Sequence, residues 1–277
     1  MNLRHQAILL LLLLVYICSS TENLSRSRSG VKKAKQPLKD PINCNGKGCG
    51  NIEKTPKPYN LQKRELISQK RQIDTLSDAF QRLALHTVML NRIPSSNHRY
   101  ITITLAMKLM IDRNVVNIVE TGTSRDGEAN CLGDGCSTVI FGHFGYLTNR
   151  FLWSVDISQE NVDHAIQGIQ MFGENSKVIT SDSIAFLESY PFPIDFLYLD
   201  SYDFDANNPN PSQEHHLKEI KASYKNLHQN TIVMIDDCRL PHGGKCKLVT
   251  EFLLSNGWKL IVNEYQQIFV HSSSLEN

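Results

Sequence analysis

From Asn97 onward, short apolar runs alternate with stretches of helical periodicity, and this alternation constrains the architecture more than any single motif. The runs fall at 117–122, 151–157, 177–181, 194–200 and 231–236, with helical patterns expected near 137–146, 159–172, 183–189, 213–228 and 245–255. Strand and helix in strict turn predict parallel βαβ units. Two last runs, 258–264 and 267–271, are separated only by Tyr265 and Gln266. So short a connection permits an antiparallel hairpin and forbids a helical crossover. The expected fold class is therefore α/β: a doubly wound, mostly parallel sheet ending in an antiparallel hairpin. Upstream, Leu66, Ile73, Leu76, Phe80, Leu83 and Leu90 share one helical face. They predict an N-terminal helical extension over 61–96, packed on the domain 97–277.

The first sixty residues read differently. Arg4 precedes an unbroken apolar run over 7–18 that includes six consecutive leucines, and small residues follow at Cys18, Ser19 and Ser20. The run is shorter than the roughly 20 residues a membrane span requires, so residues 1–20 are expected to be a cleaved signal peptide and no stable membrane span is expected. The expected location is the secretory pathway, secreted or luminal. Residues 21–60 are rich in Ser, Lys, Pro, Gly and Asn and are expected to form a disordered basic linker, because they carry too little apolar surface to offset ordering entropy. From Thr21 to Arg64 there are 11 Lys/Arg against 3 acids, whereas residues 65–277 carry 17 basic and 25 acidic side chains. No aromatic residues interleave the basic charges, so no nucleic-acid partner is expected. Asn23-Leu24-Ser25 is a glycosylation sequon for a eukaryotic secretory host. With 41% hydrophobic and 21% charged residues, the chain as a whole is neither collagen-like nor a multi-span membrane protein.

Behind the leader lie six cysteines in three close pairs, Cys44/Cys49, Cys131/Cys136 and Cys238/Cys246. An even count after an export signal predicts disulfides, and each pair is close enough to bridge locally. None shows the two-residue spacing of common zinc knuckles.

In an open parallel sheet, ligands gather beyond the carboxyl ends of the strands, so the polar residue closing each apolar run carries the chemistry. The first run ends Glu120-Thr121-Gly122 and continues Thr123-Ser124-Arg125-Asp126-Gly127. Two glycines there would let the backbone turn beside a ligand, above the Glu120 carboxylate. The second run ends at Asp156, a carboxylate able to accept both hydroxyl protons of a ribose. Ser181-Asp182-Ser183 follows the third, where Asp182 would address an adenine amino group or cap the next helix.

Together with the terminal hairpin, these residues resemble a class I S-adenosylmethionine-dependent methyltransferase of Rossmann-like fold, over about Asn97 to His271. The resemblance implies S-adenosylmethionine as cofactor. It places Glu120 and Gly122, with Thr123, Ser124 and Gly127 of the same loop, at its methionine part, Asp156 at its ribose and Asp182 by its adenine. Asp126 stands where many relatives have another glycine, and the long interval from Gly122 to Asp156 contains Cys131–Cys136, an insertion that a disulfide would pin.

The fourth and fifth runs end Leu199-Asp200-Ser201-Tyr202-Asp203 and Ile235-Asp236-Asp237-Cys238. Asp200, Asp236 and Asp237 should converge and supply oxygen ligands for a hard divalent cation, Mg²⁺ first among them, because nothing basic within either motif neutralises them. The pattern is similar to metal-dependent O-methyltransferases of the catechol and macrocin types. Asp200 is the expected ligand and base. Ser212 is expected to cap a helix starting near Gln213, which would put His215 and His216 in its first turn, with His216 a further candidate catalytic base. The expected activity is metal-assisted methylation of a hydroxyl on a glycan or small metabolite. The alternative is a secreted, non-catalytic binding protein that keeps the fold, a pseudo-methyltransferase.

Overall fold

The computed structural model describes residues 77 and 79–275. The leader, the linker, the sequon, the Cys44/Cys49 pair and most of the first half of the helical extension lie outside the described residues. Seven strands form one sheet: β1 (Asn117–Thr121), β2 (Phe151–Asp156), β3 (Ser176–Thr180), β4 (Ile194–Leu199), β5 (Leu227–Ile235), β6 (Trp258–Asn263) and β7 (Gln267–His271). Their spatial order is β3-β2-β1-β4-β5-β7-β6. The first five pair in parallel, while β7 lies antiparallel to both β5 and β6, as the short hairpin connection requires.

Helices cover both faces, so the central strands are apolar on both sides. Along β4, Phe196 and Tyr198 enter one core while Leu197 and Leu199 enter the other; Ile232 and Met234 of β5 alternate with Val233 and Ile235 in the same way. The first core packs against the helices Tyr100–Asp112 and Ser137–Thr148, and the second against Asn210–Ser223 and Lys247–Ser255. Among the described residues no helix is long and apolar enough to cross a membrane.

Three features depart from the sequence expectations. The helix Tyr100–Asp112 is not among the expected helical stretches, because Ile101-Thr102-Ile103-Thr104 has the alternation and β-branching of a strand. It forms because Ile103, Ala106, Met107 and Met110 recur at helical spacing and are buried. In the helix over 79–89, Phe80 and Leu83 are exposed and the packed face is Ala84, Val88 and Met89. The packed face is rotated from the expected stripe, with Leu85 also packed against the core. Finally, the long helix before β5 begins at Asn210 and stops at Ser223, and β5 starts at Leu227, so His228 lies on a strand.

The sheet order reverses between β1 and β4, which leaves a crevice above their carboxyl ends. Backbone hydrogen bonds align those ends: Gly122 N–H donates to Val155, Asp200 N–H to Thr121 and Asp236 N–H to Leu199. Hence Gly122, Asp156, Asp200 and Asp236 stand in one row.

Candidate active site

The loop after β1 is held from below. Glu120 is fully buried, and its Oε2 accepts hydrogen bonds from Thr138 Oγ1 (2.7 Å) and Ser154 Oγ (2.5 Å). Its Oε1 has no well-formed partner among the described residues, although the Ser137 hydroxyl is near enough to favour the charged form. Burial outweighs these bonds and raises the Glu120 pKa to about 7. Thr138 also exchanges hydrogen bonds with Ser124: Ser124 N–H donates to Thr138 Oγ1 and Thr138 N–H to Ser124 Oγ. Ser124 thus fastens the loop to the start of the helix Ser137–Thr148.

Gly122 has φ +81°, and a Cβ there would come within 2.4 Å of the Asp200 carbonyl oxygen, so only glycine lets β1 and β4 end side by side. Gly127 serves a different neighbour. A Cβ on it would meet the His164 carbonyl oxygen at 2.9 Å, so it admits the helix Gln159–Ile169 and does not line the cleft around Gly122.

Asp156 ends β2 at the cleft. Its Oδ2 accepts Thr123 N–H (3.1 Å), and its Oδ1 accepts Ser158 N–H (2.8 Å) and the Asn161 side-chain amide (3.3 Å). The Thr123 hydroxyl adds a long fourth contact to Oδ2 (3.5 Å), so the roughly four acceptor positions of the carboxylate are filled and a ligand hydroxyl would have to displace this weakest one. Asp182 takes the capping role: its Oδ1 accepts Ala185 N–H at 2.8 Å, and it is exposed and outside the cleft lining.

The cleft is lined by Gly122, Thr123, Asp156, Ile157, Asp200 and Asp203 among others, and has a volume of about 140 Å³. Arg125 narrows its mouth, reaching Asp203 at 2.8 Å and Asp134 of the Cys131–Cys136 loop at 3.3 Å. Both disulfides within the described residues, Cys131–Cys136 and Cys238–Cys246, are local, as the spacing predicts.

Asp200, Asp236 and Asp237 do converge, with one oxygen from each within 4.8 Å of the others. As a donor set, three carboxylates suit a hard divalent cation. Neither motif contains a basic residue, yet two cations reach the cluster from elsewhere in the chain. Arg99 Nε lies 3.0 Å from Asp236 Oδ2 and its Nη2 3.4 Å from Asp237 Oδ1. Lys245 Nζ lies 2.5 Å from Asp200 Oδ1 and 3.2 Å from Asp237 Oδ2. Both cations come from outside the two motifs, Arg99 far away in sequence, which is why short-range patterns do not reveal them. The donor types fit a metal, but the position between Asp200 and Asp237 already holds an ammonium group.

Burial raises the Asp200 pKa well above the usual carboxylate range; Lys245 opposes this and the neighbouring Asp236 and Asp237 add to it. Asp237 goes the other way: against its burial, Lys245, the Tyr265 hydroxyl and Arg99 together lower its pKa.

His216 is not at the mouth. It is fully buried, with Nδ1 2.7 Å from the Ser212 carbonyl oxygen, and burial lowers its pKa to about 4. Because the helix starts at Asn210, with a proline in its first turn, His216 falls in the second turn and faces inward. Ser212 bonds the Tyr202 carbonyl and does not cap the helix. His215 is partly exposed and pairs with Glu219 (3.4 Å) and Ser183 (3.1 Å).

Strand order, the crevice at β1 and β4, and the antiparallel β7 together define a Rossmann-like α/β fold, a mostly parallel sheet ending in an antiparallel hairpin. No known family model and no curated protein matches the sequence. Among solved structures, the chain is similar to the O-methyltransferase from Bacillus cereus in complex with SAH, at 14% identity and TM-score 0.45, over 69% of this chain and 90% of that one. It is also similar to the O-methyltransferase NovP (15% identity, TM-score 0.47, 72% and 99% covered) and to the SAH-bound Podospora anserina methyltransferase PaMTH1 (10%, 0.47, 80% and 99%).

Proposed function

We propose that the chain is an S-adenosylmethionine-dependent O-methyltransferase acting on a hydroxyl of a glycan or small metabolite. The observation that carries this reading is the row of Gly122, Asp156 and Asp200 along one cleft above the sheet's switch point, over a buried carboxylate, Glu120, with one oxygen unengaged. The cleft bears Asp134, Asp156, Asp200 and Asp203 against Arg125, an electronegative lining suited to a cofactor with sulfonium and ammonium charges.

Bound S-adenosylmethionine supplies a methyl group already attached to a good leaving group, so the protein's task is chiefly to position donor and acceptor. Asp156 would hold one ribose hydroxyl in place of its long Thr123 hydroxyl contact, and Ile157, largely exposed beside it, offers an apolar face to the base. Glu120 draws the ammonium end down toward the loop. Arg125 would swing aside to admit the cofactor; its pair with Asp203 is solvent-exposed and worth about 0 to 1 kcal/mol, while its pair with Asp134 is partly buried. Asp200, whose ionised form the Lys245 ammonium favours, would take the acceptor's hydroxyl proton, while the bound cofactor would supply the methyl group and retain its sulfur as the leaving group. A divalent cation on Asp200, Asp236 and Asp237 would polarise that hydroxyl, but only with Lys245 moved off two of those carboxylates.

The secretory address belongs to this proposal, and two local disulfides beside the cleft support an oxidising compartment. Calorimetric titration of the purified protein with S-adenosylmethionine, followed by mass spectrometry of hydroxylated acceptors incubated with a deuterated-methyl donor, tests the reading. Donor binding with a methyl shift on an alcohol oxygen is expected. Donor binding without transfer to any acceptor would favour the non-catalytic binding protein, and no donor binding at millimolar concentration would refute the enzyme reading.

A further inference from the structure

We propose that Lys245 is the resident cation of the Asp200–Asp236–Asp237 cluster, occupying the position a divalent metal would take and excluding it. Three carboxylates this close repel unless a counter-charge sits among them. The loop between Asp237 and Cys246 is built to deliver one. Cys238 and Cys246 close it, and Gly244, at φ +56°, lies so near that a Cβ would come within 1.8 Å of the Asp237 carbonyl oxygen. Only glycine permits that approach. The next residue, Lys245, donates its backbone N–H to the same carbonyl (3.3 Å) and turns its side chain inward until it is 2% exposed. A strongly hydrated ammonium is costly to bury unless paired, and here two carboxylates pair it.

Arg99 satisfies the remaining charges. Its guanidinium takes both oxygens of Asp236, at 3.0 and 3.4 Å, and one of Asp237. Every member of the cluster therefore holds a cationic partner, and two positive charges face three negative ones. A divalent ion binds carboxylate oxygens at roughly 2 to 2.6 Å. An ion on Asp200 Oδ1 and Asp237 Oδ2 would thus share the place of Lys245 Nζ, with the Arg99 charge close behind it. Ion and ammonium exclude one another.

Mn²⁺ binding to the purified protein, read by the electron paramagnetic resonance signal of the free ion, tests this without reference to activity. The wild type is expected to show no stoichiometric site at submillimolar Mn²⁺. Lys245→Gln is expected to gain one site, with affinity up on the order of a hundredfold or more once the like charge is removed, and Asp236→Asn added to it should abolish the gain. Melting temperature gives a second readout: Lys245→Gln is expected to lose stability and recover it with Mg²⁺, while wild type responds to neither Mg²⁺ nor EDTA. One tight Mn²⁺ per wild-type chain, lost in Asp236→Asn, would overturn the proposal, and that titration decides the matter even where Lys245→Gln fails to fold.

Discussion

Glu120→Gln isolates the energetic role of the carboxylate under the β1 loop. In the folded chain Glu120 is fully buried and its pKa is raised to about 7, against 4.5 for the free side chain, the only large opposing contributions being hydroxyl hydrogen bonds. Below the unfolded value both states are protonated and Glu120 adds nothing to the pH dependence. Between the two values the folded state keeps a proton that the unfolded state has released, so stability falls as pH rises. The fall is about 1.4 kcal/mol for each pH unit in that interval, which accumulates to about 3 kcal/mol by pH 8. Gln keeps an oxygen to accept from Thr138 and Ser154 but cannot ionise. Urea denaturation of wild type and variant at pH 5, 6, 7 and 8 should therefore give curves that diverge with pH. The variant should be the more stable by about 3 kcal/mol at pH 8, and the gap should nearly close at the acid end. The same carboxylate is expected to be ionised when a cationic ligand lies above it, so S-adenosylmethionine affinity should rise with pH through 7 in wild type and stay flat in the variant. Parallel stability curves in the two proteins would refute the reasoning, because every other titrating group is common to both.

The remaining predictions concern residues whose roles the structure separates. Asp156→Ala should weaken donor binding by about 1 to 3 kcal/mol, the scale of a lost charged hydrogen bond, whereas Asp182→Ala should lower stability by about 0.5 to 2 kcal/mol through loss of a helix cap and leave donor affinity within twofold; calorimetry and denaturation on both variants distinguish the roles, and equal donor effects would contradict the assignment. His216→Gln should leave the shape of the kcat–pH profile unchanged, because a fully buried imidazole with its pKa lowered to about 4 neither titrates near neutrality nor reaches the cleft; a hundredfold fall in kcat would restore it as a base. Arg99→Ala should cost about 3 to 5 kcal/mol in urea denaturation, since it strands the buried Asp236 carboxylate, and a loss under 1 kcal/mol would show that Asp236 finds another partner.

What the sequence reveals divides by range of interaction. Strands of parallel sheets are buried on both faces, so β4 and β5 are visible by the apolar stretches Phe196–Leu199 and Ile232–Ile235, and the short gap before β7 dictates the hairpin. The acidic strand ends are visible for the same reason: each directly follows a run. Boundaries set by capping shift, as at Asn210, where Pro209 and Pro211 start the helix earlier than Ser212 would. That shift of three residues moves His216 from the expected first turn, where it is a candidate base, to the second turn, where it is buried. Long-range pairs leave no trace at all. Arg99 meets Asp236 across 137 positions, and nothing near Arg99 in sequence distinguishes it from a surface arginine. Lys245 carries a weak signal, being flanked by Gly243-Gly244 and Cys246, the composition of a chain forced into close approach.

Those two cations also explain why both disulfide loops belong to the site. The Cys131–Cys136 loop gives Asp134 to Arg125 and the Gly133 carbonyl oxygen to Arg99 Nη1 at 3.2 Å; the Cys238–Cys246 loop gives Lys245 to Asp200 and Asp237. Arg99 therefore ties the first loop to the end of β5 while Lys245 ties the second loop to the end of β4. Each loop is short and irregular, with little apolar surface to hold it, so its own packing would not confine a buried charge. A covalent closure removes part of the unfolded chain's freedom at that point, and the charged contacts then need to offset less entropy to keep their geometry. The sheet supplies the row of strand ends; the disulfide-closed loops, whose half-cystines are buried in the two cores, set the charge that faces whatever enters the cleft.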